Sequence, residues 1–242
     1  MRDYQKEYDS RVAYIKSLVA DSHAKGIVFG NSGGKDSALV GILCKAACEN
    51  TVGVIMPCAS ARNFASDMDD GNALAGQYGI ETRLIDLTPV REAAAQAIGT
   101  ACDITPASLA NIAPRLRMTT LYTIAGSEGR LVAGTGNRSE IFMGYFTKWG
   151  DGAYDFNPIA DLTATEVIEF LAWLGAPASI CEKAPSAGLY EGQTDEQEMG
   201  ISYAAIDRFI LTGEASEKDR AVLDRFHNGS AHKRRPAATY PG

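Results

Sequence analysis

Nothing in this sequence offers a membrane span, a disulfide framework or a zinc site. The apolar runs are short and strand-like, far from the ~20 residues a spanning helix needs. The opening MRDYQKEYDS is too polar for a signal peptide, so the chain is expected in the cytoplasm. The five cysteines, Cys44, Cys48, Cys58, Cys102 and Cys181, contain no CxxC pair, and the three histidines are scattered. Cys44 and Cys48 share a helix face, but no nearby His or Cys completes a ligand set, and they read as small buried residues. Basic charge is in deficit as well: 23 Lys and Arg against 30 Asp and Glu leave a net charge of −7. That provides no broad positive field for nucleic acid. No repeat, low-complexity tract or linker divides the chain, so a single domain over 1–242 is expected.

What is present is alternation. Tyr4, Tyr8, Val12, Ile15 and Val19 are at helical spacing, and Gly26 follows them as a stop signal. Four short apolar runs, Gly26 to Phe29, Thr51 to Met56, Thr82 to Ile85 and Arg130 to Ala133, read as strands. Helical patterns near 37–49, 63–78 and 108–126 separate them. Strands alternating with helices predict an α/β fold, a Rossmann-like three-layer sandwich around a mostly parallel sheet. Further on, Thr163 and Glu166 form a capping box ahead of Val167, Phe170, Leu171 and Leu174, with Gly175 and Pro177 as stop signals. Two more helical patterns, about 202–211 and 216–226, precede the basic tail His232-Lys233-Arg234-Arg235.

The stretch richest in chemistry is GNSGGKDS, Gly30 to Ser37. It follows a strand and opens a helix, where free backbone N–H groups and the positive end of the helix dipole converge on an anion. Gly33 and Gly34 keep side chains out of the way, and Ser32 and Ser37 add hydroxyls. Asp36 would repel an anion unless a divalent cation lay between them, which implies Mg²⁺. The glycine spacing fits neither GxxxxGK[ST] nor GxGxxG. It resembles instead the SGGxDS loop of the ATP pyrophosphatase superfamily, whose members cleave ATP to AMP and pyrophosphate. Residues 134–159 lack helical or strand periodicity, and a loop of that length with this aromatic content reads as ordered and functional.

Five motifs in one order narrow the resemblance. GTGNxSE, GYFTKxGDGAxD, NxxxRxRM from Asn111 to Met118, KxPSAxLxxGQxDExExG from Lys183 to Gly200 and the terminal HKR look like the series found in NAD synthetases. The resemblance implies the adenine nucleotide alpha hydrolase-like fold, a homodimer, and ATP-dependent conversion of deamido-NAD to NAD with ammonia. Carried over position by position, it implies that Gly30, Asn31, Ser32, Gly33, Gly34, Lys35, Asp36 and Ser37 bind ATP, with further contacts from Thr135 and Ser186. Asp36 and Glu140 would coordinate Mg²⁺. Arg115, Lys148, Asp155, His232 and Lys233 match the deamido-NAD contacts, and Asp151 or Asp155 would take a proton from ammonia. Arg115 and Arg117 fall on opposite flanks of one helix, and the family pattern selects Arg115. The tail must then fold over the substrate.

Two positions depart from the pattern. Ala164 stands where many members carry a lysine that contacts ATP, so that contact is missing or supplied by Lys183 or Lys35. Pro114 replaces a common alanine and is expected to start its helix. The chain leaves no room for a glutaminase domain beside this fold, which predicts use of free ammonia. The rivals are a tRNA-modifying pyrophosphatase, which calls for a basic face and often a cysteine pair, and a nucleotide sensor that binds ATP without turnover.

Overall fold

Four runs of alternating apolar residues assemble into one parallel sheet in the computed structural model, which describes residues 2–58, 63–181 and 194–240, the side chains of 63–67 excepted. In chain order the elements through the sheet are α1 (Tyr4–Asp21), β1 (Gly26–Gly30), α2 (Lys35–Ala47), β2 (Thr51–Ile55), α3 (Asn63–Tyr78), β3 (Glu81–Leu84), α4 (Thr88–Gly99), α5 (Pro106–Ala110), α6 (Ile112–Glu128) and β4 (Arg130–Ala133). Then come α7 (Arg138–Met143), α8 (Ala164–Leu174), α9 (Ala178–Cys181), α10 (Asp195–Met199), α11 (Tyr203–Thr212), α12 (Glu217–Gly229) and a 3-10 turn at Ala231–Lys233. The strand order is β3-β2-β1-β4, with every neighbouring pair parallel.

The period-2 pattern of β1 explains the layers. Ile27 and Phe29 enter a core with α1, α2 and α8, while Val28 faces the other way into a core with α6, Val52, Val54 and Val132. Phe29 and Phe170 are fully buried, each contributing roughly 1.5–3 kcal/mol by leaving water. A third cluster, Met143, Ala164, Met199, Ile201, Tyr203, Ile206 and Leu223, packs the C-terminal helices on α7. The three-layer expectation therefore holds, and so does the capping box: Thr163 accepts from Glu166 N and the Glu166 carboxylate accepts from Thr163 N at 2.8 Å.

The differences are local. The helix expected over 108–126 is two helices meeting at Asn111, and α6 starts at Ile112 rather than at Pro114. Pro114 remains within the first turn, where a missing N–H costs nothing. The span 134–159 is not irregular throughout, because α7 lies within it.

α1 is tied down by charge as well as by Ile15. Arg2 Nε donates to Glu166 Oε1 at 2.8 Å, and Arg11 donates to Asp161 at 2.7 Å and 2.8 Å. Burial works to raise the pKa of Asp161 and Glu166, yet the hydrogen bonds from Arg11 and Arg2 outweigh it and leave both lowered. Lowered carboxyls stabilise fully above their ordinary pKa of about 4 and lose that contribution as pH falls through the folded values. Unfolding free energy is therefore expected to fall more steeply between about pH 4 and pH 2 in the parent than in Arg11→Met. Parallel slopes in urea titrations would exclude this anchoring.

Candidate active site

The strand order reverses between β1 and β4, and at such a switch point the loops leaving the two strands part and open a crevice at their carboxyl ends. The loop after β1 is Gly30 to Ser37, and the loop after β4 leads through Thr135 into α7. Asn31 N continues the ladder to Val54 O at 2.9 Å, and the buried Asn31 side chain donates to Gly71 O at 3.0 Å. Asn31 thus holds the loop from beneath. Gly33 turns at φ 72°, a left-handed conformation that needs glycine. The hydroxyls of Ser32 and Ser37 lie 3.0 Å apart, and Ser37 Oγ donates to Gly34 O at 2.9 Å. At the start of α2, Gly34 is the N-cap and supplies no side-chain hydrogen bond. The first-turn N–H groups of α2 therefore keep their donors for an anion.

Asp36 and Glu140 are brought together from separate helices by one residue, Asn137. Asn137 donates through Nδ2 to Asp36 Oδ1 at 3.0 Å, and through its backbone N to Glu140 Oε2 at 3.1 Å. Asn137 is also the N-cap of α7, its side-chain oxygen accepting from Ser139 N and Glu140 N at 3.0 Å. Lys35, buried, makes an ion pair with Asp36, and its Nζ lies 5.6 Å from the Tyr203 ring centroid. Burial raises the Glu140 carboxyl well above the usual range, and the negative charge of Asp36 adds to it. For Lys35 burial acts to lower the pKa, but the charges of Asp36 and Glu140 overcome it and the net shift is upward. Two acids brought this close, with an ammonium drawn to them, could hold a cation. Their hard oxygens suit Mg²⁺, which takes one or two protein carboxylates and completes its shell with phosphate and water. Among the described residues no group of three or more His, Cys, Asp or Glu could hold a metal, so such an ion would rest on this pair and on the nucleotide.

The expected acceptor residues gather about the loop between α7 and α8. Arg115, exposed on α6, donates through Nη2 to Lys148 O at 3.4 Å. Lys148 Nζ donates to His232 O at 2.8 Å, and Lys233 Nζ donates to Gly144 O at 2.8 Å and Phe146 O at 2.7 Å. Arg117 on the same helix bonds through Nε to Met56 O at 3.1 Å, beyond β2. Asp151 accepts from Thr147 N at 2.9 Å; the surrounding protein desolvates its carboxyl and raises the pKa, while Thr147 N–H and the charges of Arg117 and Lys233 oppose the shift. Asp155 Oδ2 accepts from Val132 N at 2.8 Å and Oδ1 from Tyr122 Oη at 3.1 Å, which fixes it beside β4. Thr135 is half-buried between β4 and α7. Ser186 and Lys183 lie outside the described residues. Asn137 and Tyr203 were not singled out from the sequence, although the Asn137-to-Glu140 spacing is that of a capping box.

A parallel sheet whose switch point carries a helix N-terminus without a side-chain cap, with an acid in its first turn joined to a second acid from the neighbouring loop, defines a nucleotide-binding α/β protein. The sequence profile of the NAD synthase family matches residues 7–237, and the chain belongs to that family. It is 44% identical over 236 residues to the NH(3)-dependent NAD(+) synthetase of Carboxydothermus hydrogenoformans, covering 96% of each chain. Among solved structures it resembles the NMN synthetase of Francisella tularensis, at 35% identity and TM-score 0.95 with 100% of both chains covered. It also resembles the NH3-dependent NAD synthetase of Campylobacter jejuni in complex with nitrate, at 29% identity and TM-score 0.82, covering 99% of this chain and 100% of that one. These likenesses accord with the adenine nucleotide alpha hydrolase-like fold.

Proposed function

We infer that this chain is an ammonia-dependent NAD synthetase, a ligase that amidates deamido-NAD with ammonia and ATP to give NAD, AMP and pyrophosphate through an adenylated intermediate. This is the last step of NAD biosynthesis. The observation that carries the reading is the start of α2, free of a side-chain cap, whose first-turn Asp36 is tied through Asn137 to Glu140 of α7. The first-turn N–H groups, with Ser32 and Ser37, receive ATP phosphates, and Lys35 sits within reach of the same charge. Asp36 and Glu140 hold Mg²⁺, which when bound neutralises charge on the departing pyrophosphate. The chain's own work is positioning and fixed electrostatics, and no side-chain nucleophile is needed. Arg115, Lys148, His232 and Lys233 receive the phosphates and carboxylate of the acceptor. Asp151, with its raised pKa, and Asp155 are the candidates for taking the proton from ammonia.

A single domain over 1–242 is supported by the family match across 7–237. A homodimer is supported by α4, which has no buried residue and leaves Val90 and Ile98 exposed. Among the described residues no helix is long and apolar enough to cross a membrane, consistent with a place in the cytoplasm. A second reading, amidation of the mononucleotide, is favoured by the likeness to the Francisella protein. Purified protein given Mg-ATP, ammonium and either acceptor, and followed for amidated product, AMP and pyrophosphate, separates the two. Product from deamido-NAD at far higher kcat/KM is expected; no product from it above blank would sink the main reading.

A further inference from the structure

The terminal HKR motif assigns His232 and Lys233 to the acceptor and leaves the third residue, Arg234, without a task. In the structure Arg234 is half-buried and touches the ends of two helices. Its Nη1 donates to Phe142 O at 3.3 Å and to Ser230 Oγ at 2.7 Å, while Nη2 donates to His227 O. Phe142 is in the last turn of α7 and His227 in the last turn of α12. The final carbonyls of a helix have no partner within it and carry the negative end of its dipole. A planar guanidinium with five donors in a fixed fork can serve two such ends at once, which a lysine ammonium cannot do with the same geometry.

The docking is reinforced from the same stretch. Ser230 Oγ donates to Met143 O at 3.2 Å, and the Phe142 and His227 rings stack with centroids 4.3 Å apart. Gly144, at φ 64°, brings the chain so close that a Cβ there would lie 2.1 Å from Ser230. Lys233, bonded to the carbonyls of Gly144 and Phe146, is the residue before Arg234, and His232 O receives Lys148 Nζ. The place of the cations thus depends on how the 3-10 turn sits on α7.

We propose that Arg234 is a positioning residue: by joining the C-terminal ends of α7 and α12 it sets the affinity for the deamido-dinucleotide, without taking part in ATP binding or in the chemical step. The proposal rests on the reading that His232 and Lys233 contact the acceptor, and the test keeps the two apart. Direct titration of the protein with deamido-NAD, without ATP, is run on the parent, Lys233→Ala, Arg234→Lys and Arg234→Ala, together with KM values for both substrates. Loss of a charge-assisted pair of hydrogen bonds predicts about a tenfold weaker acceptor Kd in Arg234→Ala. Arg234→Lys, keeping the charge but not the fork, should fall between it and the parent. KM for ATP should stay within about twofold, the split expected when only acceptor binding is lost. A Lys233→Ala variant with parental Kd would sink the underlying reading of the tail. A weaker Lys233→Ala beside parental Arg234 variants would overturn the positioning role alone. Equal losses for acceptor and ATP in both Arg234 variants would make Arg234 merely structural and overturn it too.

Discussion

Asp36→Asn is expected to lower NAD formation by about two to three orders of magnitude, the scale seen when one preorganised electrostatic contact in an active site is removed. The substitution preserves shape, so the fold should persist. Asn137 Nδ2 loses its ionised acceptor, and Lys35 loses the carboxylate it pairs with. With the buried ammonium unpaired beside Glu140, a cation bound there retains only one protein carboxylate. Initial rates at rising Mg²⁺ and saturating ATP provide the check, with calorimetry of Mg²⁺ in the presence of ATP as a readout independent of turnover. Parental kcat in Asp36→Asn would remove this residue from the metal site and, with it, the explanation for an acid in a phosphate cradle.

Asp207→Ala is expected to have the largest effect on stability. Asp207 is 3% exposed, and its Oδ2 accepts from Thr165 N at 2.8 Å and Thr165 Oγ1 at 2.6 Å. Its Oδ1 accepts from Ser139 Oγ, which in turn accepts from Ala164 N at 3.1 Å. One carboxylate of α11 therefore satisfies the first turn of α8 and pins Ser139, the neighbour of Glu140. Truncation takes the acceptor from the buried Ser139 hydroxyl and from the Thr165 N–H and hydroxyl, at roughly 1–3 kcal/mol for a buried polar group left unsatisfied. Urea unfolding should show a lower midpoint with an unchanged slope. A loss below about 1 kcal/mol would mean that water replaces the carboxylate and that α7 is held by other contacts.

Much of this was legible in the sequence, and what escaped did so for identifiable reasons. The strands declared themselves through runs such as Ile27-Val28-Phe29, because strands buried on both faces read as continuous apolar stretches. α8 was marked at both ends, by its capping box and by Gly175 in a left-handed turn. α7, by contrast, is six residues long, too short for a period to show, and went unread, its one signal being the Asn137-to-Glu140 capping spacing. α4 went unread: none of its residues is fully buried, and its apolar Val90 and Ile98 stay exposed. In the site, the loop and Asp36 followed from local chemistry. That Asn137 joins the two carboxylates required the β1-to-β4 seam, and that the basic tail is seated followed from main-chain carbonyls, which leave no trace in side-chain composition.

That seam also dictates when the protein can first work. β1 pairs early in the chain with β2, but its other edge stays open until β4 arrives, when Gly26 meets Arg130. Contacts so distant in sequence form late and slowly, since the intervening loop must be closed first. Asp36 stands on one side of this late joint and Glu140 on the other. A nascent chain can therefore build the Gly30-to-Ser37 loop and most of its sheet while remaining unable to pair the two carboxylates, which meet only once β4 is in place.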